Sequence, residues 1–524
     1  MSRVKHRNTQ YHVGVGMDIL EDRKVLAQVV QGVDIDGDKW FLRLIGPGSL
    51  RVINQPDASG NPVPLGAPAL IQSIEIAGTA PLSSRLVGEV KAASGGDGKV
   101  FFQNMSQFGG NSLTSNSNNG LFGVDIQDFW LGITQANQTA AITATLSLNN
   151  GVNTLNFGGV DMTASPGGGI PAPSSNSFAD KAVIQLGIPS YLGTGVFVDK
   201  FVSNSKAAGT STTPPINDSI QLEVVGRLNV FQANEVDGTA TQASSGYIGG
   251  GGTVIRSSGE YLGQAIQTQI SGAIGDVVVR NGATNLGIQS ATLIRNISIG
   301  GETHNILALS ADGIRYGKFG LGMDNVTIHT HTMSRLEANR GAVNSDVKVS
   351  RELGYFRSGG DVVDSTILSG LNQDLNTEFR SQSPTSNTVA DLGGSIKALI
   401  AGNIIDSLFV ASTEPYNGQY DSPDAIKLGG GRIQAKVEGT VDNSLVSPAS
   451  PTQAFYAFKT EVTKGVVTPP NAPSTPVPSP AKFTHTPSGN LVVMGRQFPS
   501  NKKINSTFGI WNVAAYLKKT NPKL

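Results

Sequence analysis

Two segments late in the chain repeat one pattern of glycine, apolar and small residues at a constant offset, from Gly393 to Gly430. The first, GGSIKALIAGNIIDSLFVAS, begins at Gly393, and the second, GGRIQAKVEGTVDNSLVS, begins at Gly430. A partial third copy, GGDVVDSTILSG, begins at Gly359. The matched pairs of the full copies are Gly393 and Gly430, Ile396 and Ile433, Ile400 and Val437, Gly402 and Gly439, Ile404 and Val441, Ser407 and Ser444, and Leu408 and Leu445. Such units favour a solenoid, because each coil is too small to bury its apolar side chains without stacking on its neighbours.

The spacing of these copies, from Gly360 to Gly402 and from Gly402 to Gly439, is long for one bare coil of a β-helix. Polar stretches at residues 371–391 and 413–427 account for the excess length. We therefore predict short coils from which insertions loop out. Serine and asparagine at equivalent positions of these coils are expected to stack near the turns and to satisfy one another along the axis.

Upstream of the repeats, the chain continues as short β-branched runs separated by glycine, asparagine or aspartate. Glycine supplies 64 of the 524 residues and charged residues only 15%, a composition typical of turns and short strands. We predict an all-β fold, a right-handed parallel β-helix with long loop insertions. Several β-sandwich domains are the main alternative, although they would not naturally produce aligned repeats. A β-propeller is disfavoured because Trp40, Trp130 and Trp511 show no period.

The composition along the chain predicts five segments. Proline recurs in GVVTPPNAPSTPVPSPAK often enough to favour an extended spacer over a sheet. Beyond residue 462 the chain carries eight basic residues and no acidic one. The segments are 1–30, a sorting-like stretch; 31–70, a β-meander cap; 71–464, the repeat body with insertions; 465–482, a proline-rich linker; and 483–524, a basic tail or second cap.

The cap contains two strand-like runs around Asp36-Gly37, a dipeptide that permits the positive φ values of a tight hairpin. Asp34, Asp36 and Asp38 surround this turn and suggest calcium, because hard cations prefer several carboxylate oxygens. The stretch lacks the glycine spacing and downstream glutamate of an EF-hand loop. We therefore favour a hairpin turn and predict no metal site.

Charge and cysteine content exclude several classes of protein. The 39 basic and 39 acidic residues cancel, so no overall charge attracts nucleic acid. Cysteine is absent, which removes disulfides, thiolate metal sites and cysteine nucleophiles. No apolar run reaches the roughly 20 residues that cross a bilayer as a helix. The sequence therefore predicts no transmembrane segment and no nucleic-acid partner.

The chain offers no convincing catalytic or cofactor-binding residues. Asp361 and Asp364 lie close in sequence, but Asp364 recurs as Asp406 beside the same serine, which indicates a turn position of the repeat. His329 and His331 could share one strand face and reach one metal, yet no third ligand lies nearby. The glycine clusters lack the Gly-Lys-Ser/Thr ending of a phosphate loop. We predict no catalytic residue and no cofactor.

A candidate ligand contact lies in GVDIQDFWLG. Asp125, Asp128 and Trp130 could bind a sugar through stacking and hydrogen-bond acceptors. A buried tryptophan at a strand end is the alternative interpretation.

Near the start of the chain, LEDRKVLA follows a basic stretch. It resembles the Leu-Glu-x-Arg-x-Leu-Leu motif found near the start of many large envelope and extracellular proteins of planctomycete bacteria. Leu20, Glu21, Arg23, Leu26 and Ala27 match, whereas Val25 replaces the first of the two usual leucines. The resemblance implies export to the envelope or exterior and transfers no catalytic residue.

Together these patterns predict a secreted or cell-surface protein with a structural or adhesive role and no catalytic activity. Envelope polysaccharide or other surface proteins are the expected partners, and the sequence leaves the oligomeric state open. The alternative is a carbohydrate-active β-helix enzyme, a polysaccharide lyase or a glycoside hydrolase, whose active site is assembled from loops.

Overall fold

The computed structural model is all-β: its described residues form 42 strands and no helix. They are residues 27–57, 59–108, 120–132, 140–165, 180–187, 193–203, 205–207, 216–238, 252–258, 260–261, 264–265, 272–290, 292–310, 312–370, 394–411, 413–414, 425–426, 433–437, 441–448, 455–458, 464–466, 483–484, 491–493 and 496–498. Thirty-four strands join one sheet, and most of its pairs run parallel. The predicted all-β class is confirmed.

The N-terminal strands differ from the rest because they pair antiparallel. They are β1 (Ala27–Val33), β2 (Lys39–Ile45), β3 (Ser49–Asn54), β4 (Ile71–Ala77) and β5 (Arg85–Lys91). Strands β1 and β2 form a hairpin. Gly37 in its turn has a φ of +100°, the conformation that the Asp36-Gly37 dipeptide predicts.

The predicted meander is wrong beyond this hairpin. Strand β2 pairs with β5, and β3 pairs with β4. Gly46 and Gly48 both have positive φ, and a Cβ added to Gly46 would lie 2.5 Å from the Ser83 carbonyl oxygen. The chain therefore bends sharply next to the segment that leads into β5. As a result β5 pairs with the edge of β2 that β3 would occupy in a meander.

Parallel pairing begins where β4 and β5 meet the next strands. These are β6 (Val100–Phe108), β7 (Leu121–Leu131), β8 (Thr143–Leu148), β9 (Val152–Asp161), β10 (Lys181–Leu186), β11 (Thr194–Ser203), β12 (Ser205–Ala207), β13 (Ile216–Asn217), β14 (Ser219–Val225), β15 (Leu228–Gly238), β16 (Gly252–Ser258), β17 (Glu260–Tyr261) and β18 (Gln264–Ala265). One series of parallel partners runs β4, β6, β8, β10, β14 and β16, and a second runs β5, β7, β9, β11 and β15. Two sets of strands thus stack side by side along the chain.

The middle of the chain is the most regular part. Its strands are β19 (Ile274–Ser290), β20 (Leu293–Ile299), β21 (Glu302–Ser310), β22 (Gly313–Phe319), β23 (Met323–Asp324), β24 (Val326–Thr330), β25 (Met333–Ala338), β26 (Ala342–Val343), β27 (Asp346–Val349), β28 (Phe356–Ser358), β29 (Val362–Val363), β30 (Thr366–Ser369), β31 (Ile396–Ala401), β32 (Ile404–Ile405) and β33 (Leu408–Ala411). Ile294 pairs with Ile314, and Ile306 pairs with Val326. Both pairs have the offset of 20 residues that also separates the hydrogen-bonded Asn305 and Asn325. This offset is about half the spacing visible in the sequence repeats.

The remaining strands follow Ala411. They are β34 (Thr413–Glu414), β35 (Ala425–Ile426), β36 (Ile433–Val437), β37 (Val441–Pro448), β38 (Phe455–Phe458), β39 (Lys464–Val466), β40 (Phe483–Thr484), β41 (Leu491–Val493) and β42 (Arg496–Phe498). Ile396 pairs with Ile433, and Leu408 pairs with Leu445. The alignment of the two full sequence copies therefore agrees with the strand register at these positions. The predicted match of Ile400 with Val437 is wrong, because the register shifts by one residue after Ile396 and Val437 pairs with Ala401.

Many of the strands whose burial is described send alternate side chains into one large core. In β24 the burial alternates strictly, with Val326 and Ile328 buried and Thr327 and His329 partly exposed, as a half-buried strand requires. The core is mainly Ile, Leu and Val, with some stacked phenylalanines. Burial of this apolar face supplies the main driving force for folding.

Polar ladders close the corners between strands. At equivalent corners, Asn or Asp has a positive φ, a conformation that these two residues tolerate better than other non-glycine residues. The six residues are Asn285, Asn305, Asn325, Asn344, Asp364 and Asp406. The side chain of Asn325 donates to that of Asn305, and Asn305 donates to Asn285. Serine behaves similarly: the Ser345 and Ser365 amides donate to the hydroxyls of Ser365 and Ser407, each at 3.1 Å. The predicted stacking of serine and asparagine near turns is confirmed.

Gly370 and Gly394, the described residues on either side of the segment 371–393, lie next to each other. A Cβ added to Gly394 would lie 2.4 Å from the Cα of Gly370, which places the two Cα atoms no more than about 4 Å apart, close to the spacing of consecutive residues. If this segment is left out of the count, the interval from Asp364 to Asp406 becomes equal to the interval from Asn325 to Asn344. The segment is therefore an insertion into an otherwise regular repeat.

We therefore expect deletion of residues 371–393, with Gly370 joined to Gly394, to preserve the fold. The thermal unfolding midpoint should stay within about 4 °C of wild type, because the entropy of closing a loop changes only slowly with its length. Circular dichroism and gel filtration measure the outcome. As a matched control, deletion of the equally long stretch 326–348 removes β24 to β26 and most of β27, and should give misfolded protein. Loss of the native spectrum in the first deletion would contradict the prediction.

Candidate functional site

The described residues bring three carboxylates together at the N-terminal end of the sheet. Asp36 and Asp38 lie in the β1–β2 turn, and Asp97 lies in the connection between β5 and β6. One carboxylate oxygen from each lies within 4.8 Å of the others. Among the residues that the structure describes, no other group of three His, Asp or Glu side chains has this geometry.

Backbone hydrogen bonds hold the two turns against each other. The Asp34 amide donates to the Asp38 carbonyl at 2.7 Å, which closes the β1–β2 turn. The amides of Ala93 and Gly98 donate to the two oxygens of the Asp38 carboxylate, at 2.6 and 2.7 Å. The second turn therefore wraps around a fully buried carboxylate.

Gly96 permits this close approach. A Cβ at that position would lie 1.7 Å from Oδ1 of Asp38, a distance that no side chain could occupy. The connection between β5 and β6 is thus shaped to the Asp38 carboxylate.

Asp34 adds a fourth acidic group to the cluster. Its side chain is 1% exposed; Oδ1 accepts a hydrogen bond from the Ile35 amide at 2.6 Å, whereas Oδ2 is buried without a hydrogen-bond partner. Burial raises the pKa of Asp34 to about 8, and the nearby charges of Asp36, Asp97 and Asp38 add to the increase. Across the described parts of the chain, no Lys, Arg or His forms an ion pair with these four aspartates.

Sequence spacing points to Asp34, Asp36 and Asp38 but not to Asp97. The contact between the two turns spans about 60 residues, as the hydrogen bond from Gly98 to Asp38 shows. The stretch SGGDG around Asp97 was the available signal, because glycines beside an aspartate allow a backbone to close tightly over a neighbouring group.

Asp125, Asp128 and Trp130 lie on one strand, β7, and have different surroundings. Asp125 accepts from Arg85 and Asn156, each at 2.9 Å, while Asp128 is exposed. Trp130 is 4% exposed and packs with Leu70 and Phe101. The buried-tryptophan interpretation fits this position, and the sugar contact stays a prediction of the sequence.

Trp130 also has a cation against its ring, since Nζ of Lys99 lies 4.5 Å from the ring centroid. Lys99 follows Asp97 by two residues, and Ile35 of the β1–β2 turn packs against the same apolar cluster. The four aspartates therefore border a small satellite core.

The two histidines of the HTH stretch, His329 and His331, lie in different surroundings. His329 lies 3.4 Å from Asp346 through Nε2. Burial and the charge of Arg351 lower the pKa of His331. Neither belongs to a group of three metal-ligating side chains within the described residues.

Asp364 and Asp406 occupy equivalent corners with φ of 47° and 49°. Their positions agree with the turn role predicted from the repeat.

No family model matches the chain, and no curated protein or solved structure matches it either. Within the described residues, no helix is both long and apolar enough to span a membrane. Of the sorting-like motif, Leu20, Glu21, Arg23 and Leu26 lie outside the described residues, and Ala27 begins β1.

Proposed function

We propose that the chain is a right-handed parallel β-helix that serves as a structural or adhesive body without catalytic activity. The single observation that carries this proposal is the regular succession of parallel strands over residues 274–370. Strand partners and left-handed Asn or Asp corners recur there at nearly constant intervals, as the hydrogen bonds between Asn305 and Asn325 and between Val326 and Ser345 also show. Such a stack builds a stiff rod, because each coil extends the core and the hydrogen-bond ladder of the one before it.

The charged side chains along this stack support a non-catalytic role because many of them neutralise one another in local pairs. Arg295 pairs with Asp276, and Lys348 pairs with Asp346 at 2.6 Å. The first pair joins the neighbouring strands β19 and β20, whereas the second lies within β27, and the side chains of both pairs are partly exposed. A glycoside hydrolase instead needs two carboxylates about 5–10 Å apart across a binding cleft.

The most buried acidic group of the regular stack illustrates the difference. Burial raises the pKa of Glu337, but hydrogen bonds from Arg335 and Tyr316 outweigh this effect and hold the pKa below its usual range. The Tyr316 hydroxyl donates to Glu337 at 2.8 Å, and the Arg335 guanidinium lies 4.8 Å from the ring of Tyr355. A general acid for glycoside cleavage needs a raised pKa. Glu337 is therefore better suited to linking its own strand, β25, to β22, which carries Tyr316, than to acting as a general acid.

We propose that this body is secreted or held at the cell surface, where envelope polysaccharide or other surface proteins are its partners. Two sequence features support this location: the resemblance of LEDRKVLA to planctomycete sorting motifs and a cysteine-free chain rich in glycine repeats. Fractionation of native cells, followed by N-terminal sequencing, is expected to recover the protein from the envelope or medium. Recovery of the intact chain only from the cytoplasm would contradict export.

The proposed absence of catalysis is tested with a panel of acidic and neutral polysaccharides. We expect the full chain to release neither reducing ends nor unsaturated sugars, while cosedimenting with at least one insoluble polysaccharide or with isolated envelopes. A commercial polysaccharide lyase assayed beside it provides the positive control. Sugar release by the purified chain would replace the structural proposal with the enzymatic alternative.

A further inference from the structure

We propose that Asp36, Asp38 and Asp97, beside the buried Asp34, form a calcium site that fastens the connection between β5 and β6 to the β1–β2 turn. The site lies outside the repeated stack, at its N-terminal end. It reverses the sequence-based preference for a plain hairpin turn, because the structure adds Asp97 from a second turn.

The spacing of the carboxylates fits one cation. Calcium binds oxygen ligands at about 2.3–2.6 Å, so two ligands of one ion lie at most about 5.2 Å apart. The oxygens of Asp36, Asp38 and Asp97 fall inside this limit, at no more than 4.8 Å. Carboxylates without a shared ion would repel each other at such distances.

The buried oxygen of Asp34 is the second, independent observation. A buried acceptor without a partner costs free energy, and a buried ionised group costs more unless a counter-charge compensates it. Within the described residues, Oδ2 of Asp34 has no hydrogen-bond partner, and the charges that act on this carboxyl group are those of Asp36, Asp38 and Asp97. A bound cation supplies the missing counter-charge.

The remaining oxygens keep the capacity to bind an ion. Asp36 accepts only long hydrogen bonds, 3.3 Å each, from the amides of Asp38 and Asp97. The amides that donate to Asp38 fix its carboxylate in place, and each carboxylate oxygen retains a second lone pair for a metal. The backbone thus orients the ligands before the ion arrives.

The chemistry of the ligands selects calcium among divalent cations. The three side chains offer hard oxygen donors, and neither histidine nor cysteine belongs to the group, which disfavours zinc and copper. Magnesium demands near-ideal octahedral geometry and retains several waters, whereas calcium accepts irregular sets of six to eight oxygens. A site shared between two turns suits the more tolerant ion.

Calorimetric titration of the chelator-treated full chain with CaCl₂ at constant ionic strength tests the proposal. We expect a dissociation constant of roughly 10⁻⁴–10⁻³ M, as in extracellular calcium modules, and a higher thermal unfolding midpoint with calcium. Asp97→Asn removes an exposed ligand and should weaken this binding at least about tenfold. Asp36→Asn should do the same while the circular dichroism spectrum is unchanged.

Asp128→Asn is the matched control, since it removes one exposed carboxylate outside the cluster. It should bind calcium as the wild type does. Magnesium chloride at the same concentration should raise the unfolding midpoint less than calcium does. The proposal is overturned if Asp97→Asn and Asp36→Asn both keep the wild-type calcium affinity, or if calcium stabilises the chain no more than magnesium does.

Discussion

Replacing Phe201 by alanine is expected to destabilise the region around β11 by about 3–5 kcal/mol, the usual cost of deleting a buried phenylalanine ring. Phe201 is fully buried. Its ring lies between those of Phe157 and Phe231, with centroid distances of 6.4 and 5.5 Å. The substitution therefore removes both aromatic contacts of a three-ring row and leaves a cavity among strands β9, β11 and β15.

Hydrogen exchange is the suitable measurement, because the stability of a stacked repeat protein is local. Amides of residues 194–203 should exchange roughly 140- to 4,000-fold faster in Phe201→Ala, since each 1.4 kcal/mol corresponds to a factor of about ten. Exchange in residues 342–349 should change little. Phe122→Ala, at a phenylalanine that is 49% exposed, is the control and should leave both regions near wild type. Equal effects of the two substitutions would show that the row does not stabilise the sheet.

Sequence periodicity predicted most of the late register because several similar residues coincide there, but it missed the one-residue shift that pairs Val437 with Ala401. Gly402, Ile404 and Ser407 recur as Gly439, Val441 and Ser444, and the structure pairs Ile404 with Val441. The insertions were also predictable, since polar runs of that length contribute little to a core. What the alignment could not give was the shorter interval of the regular stack, because insertions lengthen both of the intervals that aligned.

The shorter interval is carried by backbone conformation more than by residue identity. Asn285, Asn305, Asn325 and Asn344 share a positive φ with Asp364, yet their neighbouring residues differ. A weak signal was present: each of these residues is followed, three positions later, by a buried apolar residue. Those residues are Ile288, Ala308, Ile328, Val347 and Ile367. Searching for Asn or Asp with this spacing, in place of exact repeats, would have found the regular stack.

For a related reason, only part of the acidic cluster could be predicted from the sequence. Three of its aspartates lie within five residues, so their pattern could be weighed as a turn or as a metal site. Asp97 joins them through a tertiary contact across about 60 residues, which local sequence spacing does not encode. The deciding features, a buried carboxylate oxygen without a donor and a glycine against Asp38, exist only in the folded chain.

Replacing Ser365 by alanine is expected to cost about 1–3 kcal/mol, the penalty for a buried amide left without an acceptor. Ser365 is 1% exposed. Its hydroxyl accepts from the Ser345 amide at 3.1 Å and donates to the Val363 carbonyl at 2.8 Å. Alanine fills nearly the same space but removes the acceptor, so the loss comes mainly from hydrogen bonding.

Because the Ser345 amide lies in the preceding repeat, the damage should spread along the stack toward the N-terminus. Amides of residues 342–349 should exchange about 5- to 150-fold faster in Ser365→Ala. Ser334→Ala, at an exposed serine of β25, removes a hydroxyl from the same stack and should change exchange little. If Ser365→Ala accelerated exchange only in residues 362–369 and left residues 342–349 protected, the serine ladder would not couple neighbouring repeats, and the parallel strands alone would carry that coupling.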